Sequence, residues 1–278
     1  MLQSINTNLG SLNAQNQLGA AQSAQHKSLE ALSSGKRINS AATDPAGSAI
    51  VQIFAAQIAG SNQAASNLND GVSLTEVADG NLSQLQSNTD RLRELAVVAG
   101  NGTLSGSDRE ALQAEANQLT QSNADIVQQS SFNGVSLLQG GATLNFQSGP
   151  NAGNQIGVTT GNLSTTPGNG GLFSLAGGVD LSSAASATQS IDNLDADIGT
   201  LSSTRANFGA ASSQFSEAIS NLQTTSVNLS AAQSRINDTD YAAESSNLAS
   251  ANIRAQAALA VQAQANAQPQ TVLSLLGR

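Results

Sequence analysis

The sequence predicts a mainly α protein: a long antiparallel, coiled-coil-like helical bundle formed by the N- and C-terminal segments, with a small β-hairpin and a Gly/Ser-rich loop in the middle. Three observations carry this prediction. Residues 191–236 repeat a 3-4-3-4 spacing without a slip, through Ile191, Leu194, Ile198, Leu201, Arg205, Phe208, Ser212, Phe215, Ile219, Leu222, Ser226, Leu229, Gln233 and Ile236, and ten of these are large apolar residues. A seam recurring every 3.5 residues belongs to a helix packed along its length against other helices. At about 1.5 Å per residue it would run roughly 70 Å, a length that suits a fibre subunit better than a pocketed enzyme. Aromatic residues make up only 3% of the 278 and charged residues 10%, where about 25% charged is usual. The apolar stock is mostly Ala, which favours thin, closely spaced helices over a thick core. Finally, glycine becomes dense and the helical period disappears only between Phe132 and Asp180.

The elements follow in order. A first helix is expected from Ile5 to Leu32, on Ile5, Leu9, Leu12, Leu18, Leu29 and Leu32, and is closed by Ser33-Ser34-Gly35. A connector leads to Thr43 or Asp44 as cap of a second helix, with Pro45 in its first turn. That helix runs to about Ala99 on a seam of Ile50, Phe54, Leu68, Val72, Leu82, Leu85, Leu92 and Leu95. Its interior Gly71 and Gly80 either weaken it locally or mark close packing. After Gly100-Asn-Gly102, Ser107 and Glu110 form the expected capping box of a third helix, with Leu112, Leu119 and Ile126 one heptad apart. Leu144-Asn-Phe146 and Ile156-Gly-Val158 alternate as the arms of a hairpin, and 163–180 reads as a surface loop or flexible insert. The long heptad helix follows. A last helix is expected from Tyr241 to about Ala267, broken by Pro269, with an apolar tail of Val272, Leu273 and Leu276.

Composition excludes several function classes. A net charge of −9 with no basic patch and no stacking aromatics argues against nucleic acid. No stretch reads as a membrane span, because Gln and Asn interleave the uncharged N-terminal 26 residues. No basic and apolar leader is present, so secretion would proceed without a cleavable signal peptide. The absence of Cys excludes disulfides and thiolate metal sites and fits a chain that stays unfolded during export. Residues 1–25 and 255–277 hold no charged side chain yet carry weak amphipathic stripes. Such ends are too polar for a core and too uncharged for a lone helix. The expectation is that they fray in the free monomer and order by pairing with each other and with sister copies.

Catalysis finds little support. The single His26 has no nucleophile partner, and zinc would need clusters of His or Cys that do not occur. Asp192, Asp195 and Asp197 read as helix-dipole and solvent contacts, with calcium as the sharper alternative, and Asp238 and Asp240 as caps of the last helix. The Gly-rich stretches 100–106 and 168–178 lack the strand-loop-helix context of a dinucleotide site. Gly35-Lys36 lacks the remainder of a phosphate loop. The expectation is therefore no enzyme, no cofactor and no metal. The polar seam positions Arg205, Ser212, Ser226 and Gln233 either set register and partner number or form a loosely packed layer that lets a rod slide between two packings.

Several strings then converge. Ile5-Asn-Thr-Asn8 with Ser11-Leu-Asn-Ala-Gln15, and Ser34-Gly-Lys-Arg-Ile-Asn-Ser-Ala-Ala-Thr-Asp-Pro-Ala-Gly47, resemble the N-terminal region of bacterial flagellin. So do Arg91-Leu-Arg-Glu-Leu-Ala-Val97, Asn101-Gly-Thr103 and Phe132-Asn-Gly134 with Leu137-Leu138. At the other end, Leu229-Ser-Ala-Ala-Gln-Ser-Arg-Ile-Asn-Asp238, Asp240-Tyr-Ala-Ala-Glu244 and Gln264-Ala-Asn-Ala-Gln-Pro-Gln-Thr-Val-Leu-Ser-Leu-Leu276 resemble its C-terminal region. The likeness leaves out only about 142–185, where the chain is short beside flagellins that carry large outer domains.

The resemblance implies a structural subunit that polymerises into the flagellar filament for swimming. It implies export through the flagellar type III pathway and an extracellular location. Residues 1–42 with 239–278 would form a terminal, inner-tube polymerisation domain, and 43–238 an outer-tube domain with its β element at about 132–180. The expected polymerisation interface is Ile5, Leu9, Leu12, Leu18, Leu29, Leu32, Leu248, Leu259, Val272, Leu273 and Leu276. Expected partners are copies of the chain, an export chaperone, and cap and hook-associated proteins. The resemblance also implies an innate immune receptor reading Arg91, Leu95 and Glu115, which on the alternative reading make subunit contacts. The alternatives are a hook–filament junction protein and a secreted surface adhesin using the 142–185 insert.

Overall fold

The structure, a computed structural model, describes residues 7–164, 167 and 170–276, the last six of these by backbone alone. Five long helices carry the chain: α1 (Leu9–Ser34), α2 (Pro45–Ala99), α3 (Gly106–Gln129), α4 (Ala184–Asn237) and α5 (Tyr241–Leu276). Between α3 and α4 lie β1 (Ser131–Phe132) with β2 (Val135–Ser136), β3 (Thr143–Gln147) with β4 (Gln155–Thr159), and a single 3₁₀ turn at Ser174–Ala176. Both strand pairs are antiparallel. The chain forms two compact units, one of residues 1–56 with 228–278 and one of 57–227; α2 and α4 contribute to both.

In the unit made by the two ends, α1 and α5 pack on each other. Gly35 closes α1 in the left-handed region, and a connector runs from there to α2. This connector is stitched to the α4–α5 junction. The Thr239 N–H donates to the Gly35 carbonyl at 3.0 Å, and the Arg37 guanidinium donates to the Ile236 carbonyl at the end of α4 at 2.6 Å. Asp44 caps α2, its Oδ1 accepting the Gly47 N–H at 2.9 Å, with Pro45 as first helical residue. Asp240 caps α5 by accepting the N–H groups of Ala242 and Ala243.

Pro269 does not break α5, which runs on to Leu276. A proline inside a helix leaves the carbonyl four residues earlier without its N–H partner. Here that carbonyl, of Ala265, accepts a hydrogen bond from Asn8 Nδ2 at 2.7 Å.

In the 57–227 unit, one core cluster gathers Leu68, Leu82 and Leu85 of α2, Val127 of α3, and Leu201, Phe208, Phe215 and Leu222 of α4. A second holds Leu92, Leu95 and Ala99 of α2, Ala116 of α3, and Ala187 and Leu194 of α4. The heptad seam of α4 is thus the spine of both. Leu194, Leu201, Phe208, Phe215 and Leu222 are buried, and Ile191, Ile198, Ile219, Leu229 and Ile236 half-buried. The helix begins at Ala184, one heptad before the first seam residue expected, and Ser183 caps it by accepting the Ser186 N–H at 3.0 Å.

The capping box of α3 is Ser105 with Asp108, not Ser107 with Glu110. Ser105 accepts the Asp108 N–H, and the Asp108 carboxylate accepts the Ser105 N–H at 3.1 Å, the same reciprocal bonding with a shorter acid. Arg109 then ties the corner, its guanidinium donating to the carbonyls of Ala99 and Asn101 at the end of α2. This supplies acceptors at a helix C-terminus with a cation.

The β3–β4 hairpin pairs Leu144 with Val158 and Phe146 with Ile156. Phe146 meets Phe215 edge to face at 5.1 Å between centroids. Gly71 of α2 makes room for this pair, since a Cβ there would lie 2.8 Å from the Phe215 ring, whereas a Cβ at Gly80 would meet nothing within 4 Å. The shorter β1–β2 hairpin turns through Asn133 and Gly134, both at positive φ, the signature of a tight two-residue turn.

Among its described residues, the stretch expected as a surface loop or flexible insert carries one 3₁₀ turn and is otherwise irregular, but it is anchored. Leu163, Leu172 and Leu181 are fully buried. Asp197 of α4 accepts the N–H groups of Phe173 and Ser174 at 2.6 and 2.9 Å. The acidic trio of α4 therefore does not act on a helix start. Asp195 pairs with Arg93, Asp197 holds the loop, and Asp192 is exposed. Burial pushes the Asp197 carboxyl above the usual carboxylate range, partly offset by those N–H bonds. The Arg93 guanidinium draws Asp195 below it.

Two predictions follow from this packing. Gly71→Ala is expected to destabilise the chain by about 1–3 kcal/mol through overpacking, while Gly80→Ala stabilises it by about 0.5–1 kcal/mol; urea denaturation reads both. Asp197 and Asp195 also give opposite pH slopes. The Asp197 contribution is present below the unfolded-state carboxylate pKa and is lost as pH rises through its raised folded value. That of Asp195 is present above the unfolded pKa and is lost as pH falls through its lowered folded value. Asp195→Asn should therefore weaken the loss of stability on acidification, and Asp197→Asn the loss on the rising side, in urea titrations between about pH 3 and about pH 7.

Candidate functional site

The terminal helix pair is the part of the molecule whose apolar surface is least accounted for by its own fold. The bonds from Asn8 to Ala265 at one end and from Thr239 to Gly35 at the other make α1 and α5 antiparallel. Their mutual contact is built from small residues. Ala14, Ala21, Ser28 and Ala31 are buried on α1, and Ala251, Ala258 and Ala265 on α5. Both rows recur every seven residues, at 14, 21 and 28 and at 251, 258 and 265. Alanines at the seam let two helix axes approach closely while burying little area each.

The large apolar residues point the other way. Leu9 is 64% exposed, Leu259 53% and Ile253 68%, and Leu12, Leu29 and Val261 are also exposed. Of the interface residues expected from the sequence, Leu9, Leu12, Leu29 and Leu259 stand uncovered, and Leu18, Leu32 and Leu248 are half-buried. Ile5 lies outside the described residues, as do the side chains of Val272, Leu273 and Leu276. An open recess of about 380 Å³ on the pair is lined by Gly10, Ala260, Val261, Gln264, Ala265 and Gln268. The alanine rows were missed in favour of the leucines. The signal that reveals them is their exact-seven recurrence, which weighting by side-chain size hides.

Charge divides in the same way. Residues 57–227 hold fourteen of the nineteen acidic side chains and only four of the ten basic ones. The unit formed by the ends is therefore close to neutral.

The residues expected to meet a receptor lie on α2 and α3. Arg91 donates to Glu115 through Nε and Nη2 at 3.0 and 2.9 Å and to Glu94 at 2.8 Å, with both acids holding its guanidinium charged. Arg91 is exposed and Glu115 half-buried, while Leu95 is only 3% exposed and belongs to the core. Nearby, Arg93 pairs with Asp195, and Arg205 with Asp79 and Gln86. The polar seam position Arg205 thus ties α4 to α2. Ser226 similarly reaches Asn62 of α2 at 3.3 Å, a contact of the register-setting kind. No cluster of three or more His, Asp or Glu side chains able to hold a metal occurs among the described residues. No helix among them is long and apolar enough to cross a membrane.

Comparison with known proteins places these features. Residues 5–143 match the bacterial flagellin N-terminal helical region, and residues 191–276 match the bacterial flagellin C-terminal helical region. The flagellin of Halalkalibacterium halodurans is 38% identical over 275 residues, covering 98% of this chain and 99% of that one. The flagellin of Bacillus subtilis is 38% identical over 301 residues, with the same coverage of 98% and 99%. The flagellin of Salmonella muenchen is 46% identical over 158 residues, which are 57% of this chain but 31% of that much longer one. Among solved structures, the crystal structure of Bacillus cereus flagellin aligns with a TM-score of 0.50 at 26% identity, covering 60% of this chain and 94% of that one. With no large domain between β4 and α4 and both terminal regions matched, the chain belongs to the bacterial flagellin family, the structural subunits of the flagellar filament.

Proposed function

We propose that this filament subunit assembles by burying the outward leucine face of its terminal helix pair against sister copies. The observation that carries the reading is the inversion of size in that pair: alanines meet inside, while Leu9, Leu12, Leu29, Ile253 and Leu259 face out. A globular helix pair places its large residues at the mutual contact, and large apolar side chains left outside it mark a candidate interaction surface. Repeated contacts between unlike patches, without closure, build a helical filament. In this reading residues 1–42 with 239–278 form the buried inner layer, and 43–238 the outer layer. The uncharged ends then gain much of their order from stacking.

The same reading places the chain outside the cell after passage through the flagellar export pathway. An export chaperone, a cap protein and hook-associated proteins act as its handling partners. The family resemblance supports these steps. A host immune receptor would meet Arg91 and Glu115 first, since Leu95 lies beneath them.

Deleting residues 255–278 is expected to leave a soluble chain unable to polymerise; normal filaments from that truncation in the electron microscope would refute the proposal. Leu12→Asn and Leu259→Asn should leave helicity by circular dichroism unchanged. Each should raise the critical concentration for seeded elongation by about tenfold or more, since burying one leucine is worth about 1.5–3 kcal/mol. Unchanged critical concentrations for both would place the interface elsewhere.

A further inference from the structure

We propose that Asn8 is a positioning residue for assembly: its side-chain amide fixes α1 against α5 at the end remote from the connector, and keeps α5 helical through Pro269. The seam between the two helices is a poor ruler. Its rows at 14, 21 and 28 and at 251, 258 and 265 present nearly the same small side chain at each step, so sliding one helix along the other changes little. Register in such a pair has to come from polar contacts. At the connector end it does, through the bonds of Thr239 to Gly35 and of Arg37 to Asn237.

At the other end the Asn8 amide supplies such a contact. Asn8 Oδ1 accepts the Ser11 N–H at 3.0 Å and so caps α1. Nδ2 of the same group donates to the Ala265 carbonyl at 2.7 Å. That carbonyl is the one acceptor in the middle of α5 that the backbone cannot serve, because its partner four residues on is Pro269. The proline thus supplies an addressable acceptor at a single height on α5. Only a group bearing both an acceptor and a donor can cap α1 and reach it at once. Gly10, two residues on, lies beside Ala265, where an added Cβ would stand 3.7 Å from the Ala265 Cβ. The clasp holds the leucine face of the pair as a fixed array. Its assembly arm rests on the filament reading, while its structural arm does not.

The test is a mutant cycle on the full-length chain. Asn8→Asp keeps an acceptor for the Ser11 N–H and has no donor for Ala265, while Asn8→Ser keeps the cap on a side chain one atom shorter, whose single hydroxyl is too short to cap α1 and reach Ala265 at once. Pro269→Ala restores a backbone N–H that can serve Ala265 directly. Amide exchange of residues 266–276 in the monomer and the critical concentration for seeded elongation are the two readouts. Asn8→Asp and Asn8→Ser are expected to raise both by about five- to tenfold. Adding Pro269→Ala to Asn8→Asp should return both to within about twofold of the parent, a rescue that a general loss of stability would not show. Exchange at the parental rate in both Asn8 variants, or equal loss with and without Pro269→Ala, overturns the clasp. Rescue of exchange with an unchanged critical concentration throughout overturns its role in assembly. A parent chain that never elongates seeds refutes the filament reading, and the exchange cycle still decides the clasp.

Discussion

Close approach of two helices through small side chains is the constraint on which this molecule turns. With Ala14, Ala21 and Ser28 set against Ala251, Ala258 and Ala265, the terminal pair spends its internal contact on residues that bury little. Its larger apolar side chains are thereby left exposed. A pair with leucines inside and alanines outside would hold itself together better and offer its neighbours almost nothing. The near-neutral charge of this unit belongs to the same arrangement, because an ion buried between copies would need a partner on each of them.

The 57–227 unit follows the opposite rule. Its leucines and phenylalanines from α2, α4 and the hairpin are buried against one another, and loops that could have been solvated are drawn in by Leu163, Leu172 and Leu181. Ion pairs between α2 and α4, at Arg93–Asp195 and Arg205–Asp79, join elements far apart in sequence. Its surface carries the acidic excess and a dressing of local amide and hydroxyl bonds, such as Gln113 to Asn117 and Ser216 to the Ser212 carbonyl. Among its described large apolar residues the 57–227 unit leaves only valines such as Val97 and Val227 exposed, whereas the other leaves leucines and isoleucines uncovered.

Large side chains at a fixed period were legible. The α4 seam, the length of α2, the hairpin arms and the caps at Asp44 and Asp240 stand where the sequence places them. What escaped was whatever lacked size or depended on distant partners. The first heptad of α4 contains only Ala, Ser, Thr and Gln, so no apolar period announces it. The capping acid of α3 is Asp108, where the usual pattern asks for Glu or Gln. The leucines at 163, 172 and 181 are spaced too widely for any helical or strand period. Pro269 obeys the local rule of a helix breaker until a residue 257 positions away supplies the missing bond. In the candidate site, the outward leucines could be named from their stripe. The alanine rows that force them outward could not, because Ala is equally at home on either face of a helix.

An alanine seam also has a mechanical consequence. Two helices held by methyl groups and a few polar links at their extremities resist separation only weakly, since each contact peeled apart gives up a small area. The free subunit can be drawn out from its ends at low force. In the proposed filament the same segments would be harder to extract, their exposed leucines enclosed by neighbours. Compliance in isolation and toughness in company then come from one choice of residue size.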